Sequence, residues 1–151
     1  MPAGAPLAKV EATKSYGADV VLVPGVYDDA AAKAEELQKE KGYTFLHPYH
    51  DDYLIARERT VGLEIMDKLP DAEVVLVPIG GGGLISGVAC AIKNINPNCK
   101  VYGVQAAGAP SMKNSLAAGK PEKLAEVSTM ADGIAVKMPG DNTFAMCQKY
   151  V

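Results

Sequence analysis

Apolar residues recur along the chain in short runs, separated by segments with helical spacing. Ala5 to Tyr16 predicts a helix closed by Gly17, in the position a helix C-terminus favours. Asp19 to Val23 reads as a strand stopped by Pro24-Gly25. A helix capped by Asp28 or Asp29 then runs to about Lys41 and stops at Gly42. Tyr43 to His47 is a short strand ended by Pro48, and Asp51 or Asp52 caps a helix that continues to Leu69. Val74-Val75-Leu76-Val77-Pro78-Ile79 is a strand, Leu84 to Asn94 a helix, and Asn96-Pro97-Asn98 a turn. Lys100 to Ala106 gives a fourth strand, and Pro110 to Ala118 a short helix closed by Gly119. Residues 120–142 read as mostly irregular and Thr143 to Val151 as helical.

Strands of Val, Leu and Ile without polar alternation imply burial on both faces, hence parallel pairing with helical crossovers. The expected fold class is therefore α/β, an open, mostly parallel sheet of four strands with flanking helices. Met1-Pro2 leads directly into a helix with no strand before it, and the last helix has no cap, breaker or tail. Both ends read as cuts from something longer.

Between the third strand and its helix lie four consecutive glycines, Gly80 to Gly83. A helix N-terminus leaves its first amides unpaired and carries partial positive charge. Where Cβ atoms are missing, an anionic group can approach those amides closely, which predicts a phosphate ligand. The nucleotide versions of such a loop do not match. Gly82 and Gly87 have the Walker spacing, but Val88 stands where that loop needs Lys. The dinucleotide pattern would need Gly or Ala at Ile85 or Ser86, and the next strand ends in Gln105 rather than a carboxylate. A plain turn that merely needs φ > 0 is the alternative. Ligands in open parallel sheets sit beyond the carboxyl ends of the strands, where Gly80 to Gly83 falls.

The 151 residues sit near the usual length of about 100–200 residues per domain, and 48% hydrophobic with 22% charged residues supports a packed core. A net charge of −3 with scattered basic residues argues against nucleic acid or an anionic membrane as partner. No apolar run is long enough for a membrane span. Cys90, Cys99 and Cys147 are odd in number and widely spaced, as reduced thiols of a cytoplasmic protein would be. Cys90 reads as a small apolar filler.

Other candidate groups have bland readings beside the chemical ones. His47 and His50 with Asp51 and Asp52 have a ligand-like spacing, but strand-end and helix-cap roles account for them. Ser86 is placed either to donate to a phosphate oxygen or to serve as a helix-face hydroxyl. Asp132 before Gly133 suits a turn better than a general base. Residues 33–41 (KAEELQKEK) form a charged helix face.

Several stretches now combine. They are Met1 to Val10 with Tyr16-Gly17-Ala18, Phe45-Leu46-His47-Pro48, and Val77-Pro78-Ile79 through the glycines to Gly87. Further on come Gly108-Ala109-Pro110-Ser111-Met112, Ala131 to Lys137 and Pro139-Gly140. In this order and spacing the chain resembles the middle of the threonine dehydratases (threonine ammonia-lyases). Those are tryptophan-synthase-β-like, fold type II enzymes using pyridoxal 5'-phosphate, with serine racemase as a near relative. The resemblance implies a cofactor phosphate held by Gly80, Gly81, Gly82, Gly83 and the amide of Leu84, with Gly133 near the pyridine ring. It implies residues 1–50 as the remainder of a small domain and 51–151 as part of the large cofactor-binding domain.

The implied reaction removes the α-proton of L-threonine or L-serine and expels the β-hydroxyl, with the cofactor as electron sink. Threonine would give 2-oxobutanoate and ammonia. The implied partners are a small amino-acid substrate and, in the full-length parent, further copies of the same chain. Three family parts are missing: the Ser-Phe-Lys stretch whose lysine carries the cofactor, the Ser-x-Gly-Asn-His loop, and the Ser/Cys-Gly-Gly-Asn loop. None of the 13 lysines lies in the cofactor-bearing context, and Lys93 reads as a surface residue. No catalytic residue is therefore assigned within the chain, and the isolated chain is expected to be inactive. Many relatives read Ala-Gly-Gln-Gly-Thr where Ala56-Arg57-Glu58-Arg59-Thr60 stands. The divalent-cation site of some relatives would fall on Gln105, Ala109 and Ser111, where both side-chain ligands are neutral, so no metal is expected. The competing class is a non-catalytic module that binds phosphate ligands or mediates subunit contacts.

Overall fold

The computed structural model describes residues 1–49 and 51–151. The chain divides into two compact units, Met1–Leu46 and His47–Val151.

The first unit carries α1 (Leu7–Ser15) and α2 (Tyr27–Lys41). Both close on glycines with positive φ, Gly17 shortly after α1 and Gly42 as the cap of α2. Asp29 does not cap α2 as expected. It sits one turn inside, where its carboxylate accepts from Val26 N–H at 2.8 Å. The strand expected at Asp19–Val23 is reduced to one parallel bridge between Pro2 and Val23. Val23 N–H donates to Met1 O at 2.9 Å and Ala3 N–H to Val23 O at 2.7 Å. An extended segment therefore does precede α1: Met1–Ala3 is the partner of Val23. Val21 and Leu22 are about half exposed, so this segment lacks the cover that sustains a longer ladder. Tyr43–His47 likewise forms no strand.

The second unit contains α3 (Asp52–Lys68), β1 (Val74–Pro78), α4 (Gly83–Ile95), β2 (Lys100–Val104), α5 (Ser111–Ala118) and α6 (Asp141–Tyr150). Asp51 is the cap of α3, its Oδ1 accepting from Leu54 N–H at 3.0 Å. β1 and β2 pair in parallel, with Val74 opposite Lys100 and Pro78 opposite Val104, connected through α4. The parallel crossover is as the apolar runs predict, but among the described residues two strands pair rather than four.

Only one face of this pair is covered. Val75, Val77 and Val101 pack with α4 and α6 side chains, while Leu76 is 66% exposed on the opposite face with Val74, Tyr102 and Val104. The expectation of burial on both faces therefore fails within this chain. α4 is apolar on nearly every side, as a central helix must be. Ile85, Val88, Ala89 and Ile92 are fully or almost fully buried, joined by Met66, Met112, Phe144 and Cys147.

α3 reaches α4 at two glycines. A Cβ on Gly62 would stand 2.7 Å from Val88 O, and one on Gly87 2.6 Å from Ile55 O. The missing side chains let the two helices cross at backbone distance, which puts the start of α4 beneath α3.

Candidate cofactor-binding site

The ladder runs one residue past β1, with Ile79 N–H donating to Val104 O at 2.8 Å, before the chain turns through the glycines. Gly82 caps α4 with φ 98° and ψ 1°, a left-handed conformation that favours glycine. The protein itself presses on the loop from three sides. A Cβ on Gly80 would lie 3.2 Å from Ile134 Cα and Val136 Cγ2. One on Gly81 would overlap the Tyr49 ring, and one on Gly82 would lie 2.8 Å from Met112 Cε and Thr143 Cβ. One on Gly83 would lie 3.1 Å from Tyr49 Cα and Cβ. The absent side chains thus serve close packing, and what the loop leaves to a ligand is its amides.

Among the described residues, no protein acceptor meets the N–H groups of Gly80 to Ile85; the first paired amide is Ser86, 3.1 Å from Gly82 O. No acidic residue lies in the first turn of α4. The partial positive charge of the helix end is therefore uncompensated by α4's own side chains.

The carbonyls on this loop, by contrast, are tied down by side chains. Thr143 Oγ1, fully buried, donates to Gly81 O at 2.6 Å and lies 3.0 Å from Gly140 O. Ser86 Oγ donates to Gly82 O at 2.6 Å, so the helix-face reading holds for its hydroxyl. Gln105 Nε2 lies 3.4 Å from both Ile79 O and Ser111 Oγ.

Gly133 sits in a 3₁₀ turn, Asp132–Ile134, whose Gly133 O comes 3.5 Å from the Cβ position of Gly80. The structure therefore brings together Gly80 to Leu84 and Gly133, distant in sequence, at one place. Lys93 lies elsewhere, its Nζ donating to Pro97 O at 3.2 Å beyond the far end of α4. Ten residues of helix, about 15 Å, separate it from the loop. Gln105 and Ser111 are neighbours, but Gln105 Oε1 is used by Lys113 N–H at 2.9 Å. His47 Nδ1 accepts from Tyr49 N–H at 3.3 Å, and the two rings pack edge to face at 4.7 Å. His50 lies outside the described residues. Arg57 and Arg59 point to solvent, while Glu58 packs its Cβ on Gly87.

Sequence reasoning missed Tyr49 and Thr143. Tyr49 follows the quoted His47-Pro48 pair directly, so the signal lay one residue away. Nothing in the pattern around Thr143 marks its contact with a loop 62 residues earlier.

Residues 1–151 match the family described as pyridoxal-phosphate dependent enzymes. The chain belongs to this family. The L-threonine ammonia-lyase of Thermotoga maritima is 52% identical over 151 residues, covering all of this chain and 38% of that enzyme. The processed threonine deaminase isoform 2 of Solanum lycopersicum superposes with a TM-score of 0.91 at 43% identity, covering 100% of this chain and 44% of that one. Maize serine racemase gives 0.91 at 36% identity, over 99% of this chain and 45% of that one. The chain thus spans less than half the length of these relatives. The donor set fits the phosphate of the family's cofactor: consecutive amides without protein acceptors among the described residues, at a helix N-terminus, beside a left-handed glycine.

Cys147, behind Ser86 in the core, adds a pH signature. Burial pushes its thiol up to about 12 from 9.0. Above pH 9 the unfolded chain sheds this proton while the folded chain keeps it, so the stability tied to it is complete below pH 9 and declines towards 12. The urea midpoint of the wild type should therefore fall more steeply between pH 9 and 11 than that of Cys147→Ala.

Proposed function

We propose that this chain is the phosphate-cradling part of a pyridoxal-phosphate-dependent L-threonine (L-serine) dehydratase. In this reading the amides of Gly80, Gly81, Gly82, Gly83 and Leu84 hold the cofactor phosphate, and Gly133 borders the ring. The observation that carries it is the run of acceptor-free amides from Gly80 to Ile85 at the start of α4. The bound cofactor supplies an electron sink for α-proton loss and β-hydroxyl elimination. The chain's own contribution is to fix the phosphate and to wall one side of the ring with the Gly133 turn. Residues 1–50 take the place of the remaining small domain and 51–151 part of the large one. The isolated chain binds the cofactor without turning threonine over, since no lysine lies near the loop in a cofactor-bearing context.

The parent enzyme works in the cytoplasm on a free amino acid, as a homo-oligomer. Three unpaired thiols and the absence, among the described residues, of a helix long and apolar enough to cross a membrane support the compartment. The exposed apolar face of β1 and β2 supports burial against further protein.

A chimera tests the activity. The 151-residue match in the Thermotoga maritima enzyme is replaced by this chain, and 2-oxobutanoate is followed from L-threonine. Turnover supports the reading; a folded chimera that binds pyridoxal phosphate but leaves threonine and serine untouched contradicts it. In that case the non-catalytic binding module takes its place.

A further inference from the structure

We propose that Thr143 is a positioning residue for the phosphate site, acting through the Gly81–Gly82 peptide; this rests on the phosphate reading of the loop. No peptide bond in the described chain is cis. In a trans peptide the carbonyl of one residue and the amide N–H of the next point in opposite directions. Thr143 Oγ1 draws Gly81 O into the core at 2.6 Å, so the Gly82 N–H is turned away from the core. Ser86 Oγ does the same one peptide later, fixing Gly82 O at 2.6 Å and turning Gly83 N–H out. Gln105 Nε2, at 3.4 Å from Ile79 O, is a longer version acting on Gly80 N–H. Three residues from three parts of the fold thus grip the carbonyls of Ile79, Gly81 and Gly82 on one backbone stretch, and the amides they orient have no protein acceptor among the described residues.

Thr143 has the strongest case of the three. It is fully buried, on α6, and its Cβ occupies the side of Gly82 where a side chain would otherwise stand, 2.8 Å from that Cβ position. Its methyl fills space and its hydroxyl sets direction, so the two roles separate by substitution. Without the hydroxyl, Gly81 O keeps only the Gly140 N–H, at 3.4 Å. The peptide is then free to rock, and the Gly82 N–H loses its fixed aim.

The test uses the full chain with pyridoxal 5'-phosphate and, separately, inorganic phosphate, by calorimetry and by amide NMR shifts. Thr143→Val keeps the shape and removes the hydroxyl; Thr143→Ser keeps the hydroxyl and removes the methyl. Thr143→Val should weaken both ligands about five- to tenfold, with the phosphate-induced shifts of Gly82 and Gly83 reduced. Thr143→Ser should bind within about twofold of wild type, even where it melts at a lower temperature. Equal binding by Thr143→Val and wild type overturns the positioning role and leaves the phosphate site standing. Loss of binding in folded Thr143→Ser also overturns it, because the methyl would then be the element that matters. Should Thr143→Val not fold, Thr143→Ala carries the test beside Thr143→Ser, with weaker binding expected in the folded Thr143→Ala chain and unchanged binding contradicting the proposal. A wild-type chain that binds neither ligand removes the phosphate reading and this proposal with it.

Discussion

Gly87→Val should unfold the second unit or come close to it. The Cβ position of Gly87 is 2.6 Å from Ile55 O and 2.6 Å from Glu58 Cβ, and these belong to helix backbone or lie beside it. No rotamer relieves that overlap, so α3 must lift off α4. Doing so exposes the α3-facing side of a helix whose Ile85, Val88 and Ile92 have almost no contact with water. Overpacking of this kind costs about 3 kcal/mol or more where backbone has to move. For a unit of this size that lowers Tm by about 12–24 °C. Gly4→Ala is the control, since a Cβ there meets nothing within 4 Å. It should stay within about 0.5 kcal/mol of wild type by urea denaturation. Equal stability of Gly87→Val and Gly4→Ala would contradict the helix crossing described above.

The second large effect falls on binding rather than folding. Gly82→Ala forces a Cβ into φ 98°, with Thr143 Cβ and Met112 Cε each 2.8 Å from its position. A non-glycine residue in such a region costs about 1–3 kcal/mol. Met112 has a flexible end and can yield, but Thr143 is tied to Gly81 O. The loop is therefore what relaxes. The core around Ile85 and Ile92 does not depend on the loop's exact path, so the helical signal should persist while pyridoxal phosphate affinity falls about tenfold or more. Calorimetry beside circular dichroism separates the two. Intact affinity in Gly82→Ala would mean that the glycine serves only the turn.

How much of this was legible in the sequence differs between the two units. α4 and the glycine turn were readable because one long apolar segment follows a strand and a run of side-chain-free residues. The parallel pairing of β1 and β2 followed from the same runs. Val20 to Val23 carries a similar apolar signal, yet it forms only the bridge at Val23. Apolar character marks a segment as fit for a sheet; a ladder also needs a neighbour, and that is a tertiary fact. The open face at Val74, Leu76, Tyr102 and Val104 has the same origin. The strands are composed for two-sided cover, and within this chain they receive it on one side.

At the site, composition points to a turn suited to an anion, and the structure adds that protein side chains pack beside its glycines. Tyr49, Met112 and Thr143 occupy the space where side chains would stand. Their roles depend on long-range packing, which periodicity does not record. Ser86 illustrates the converse case. Its place at the helix start is plain in the sequence, whereas the partner of its proton, Gly82 O, is set by the three-dimensional geometry. The departure at Arg57-Glu58-Arg59 likewise became intelligible in three dimensions, because both arginines reach solvent while Glu58 meets the Gly87 backbone.

The most direct measurement is a titration of the uniformly ¹⁵N-labelled chain with pyridoxal 5'-phosphate. The account predicts saturable shifts concentrated in the amides of Gly80 to Leu84, reproduced in part by inorganic phosphate and absent with dephosphorylated pyridoxal at the same concentration. Shifts centred elsewhere, or a glycine loop unmoved at saturating cofactor, would contradict it.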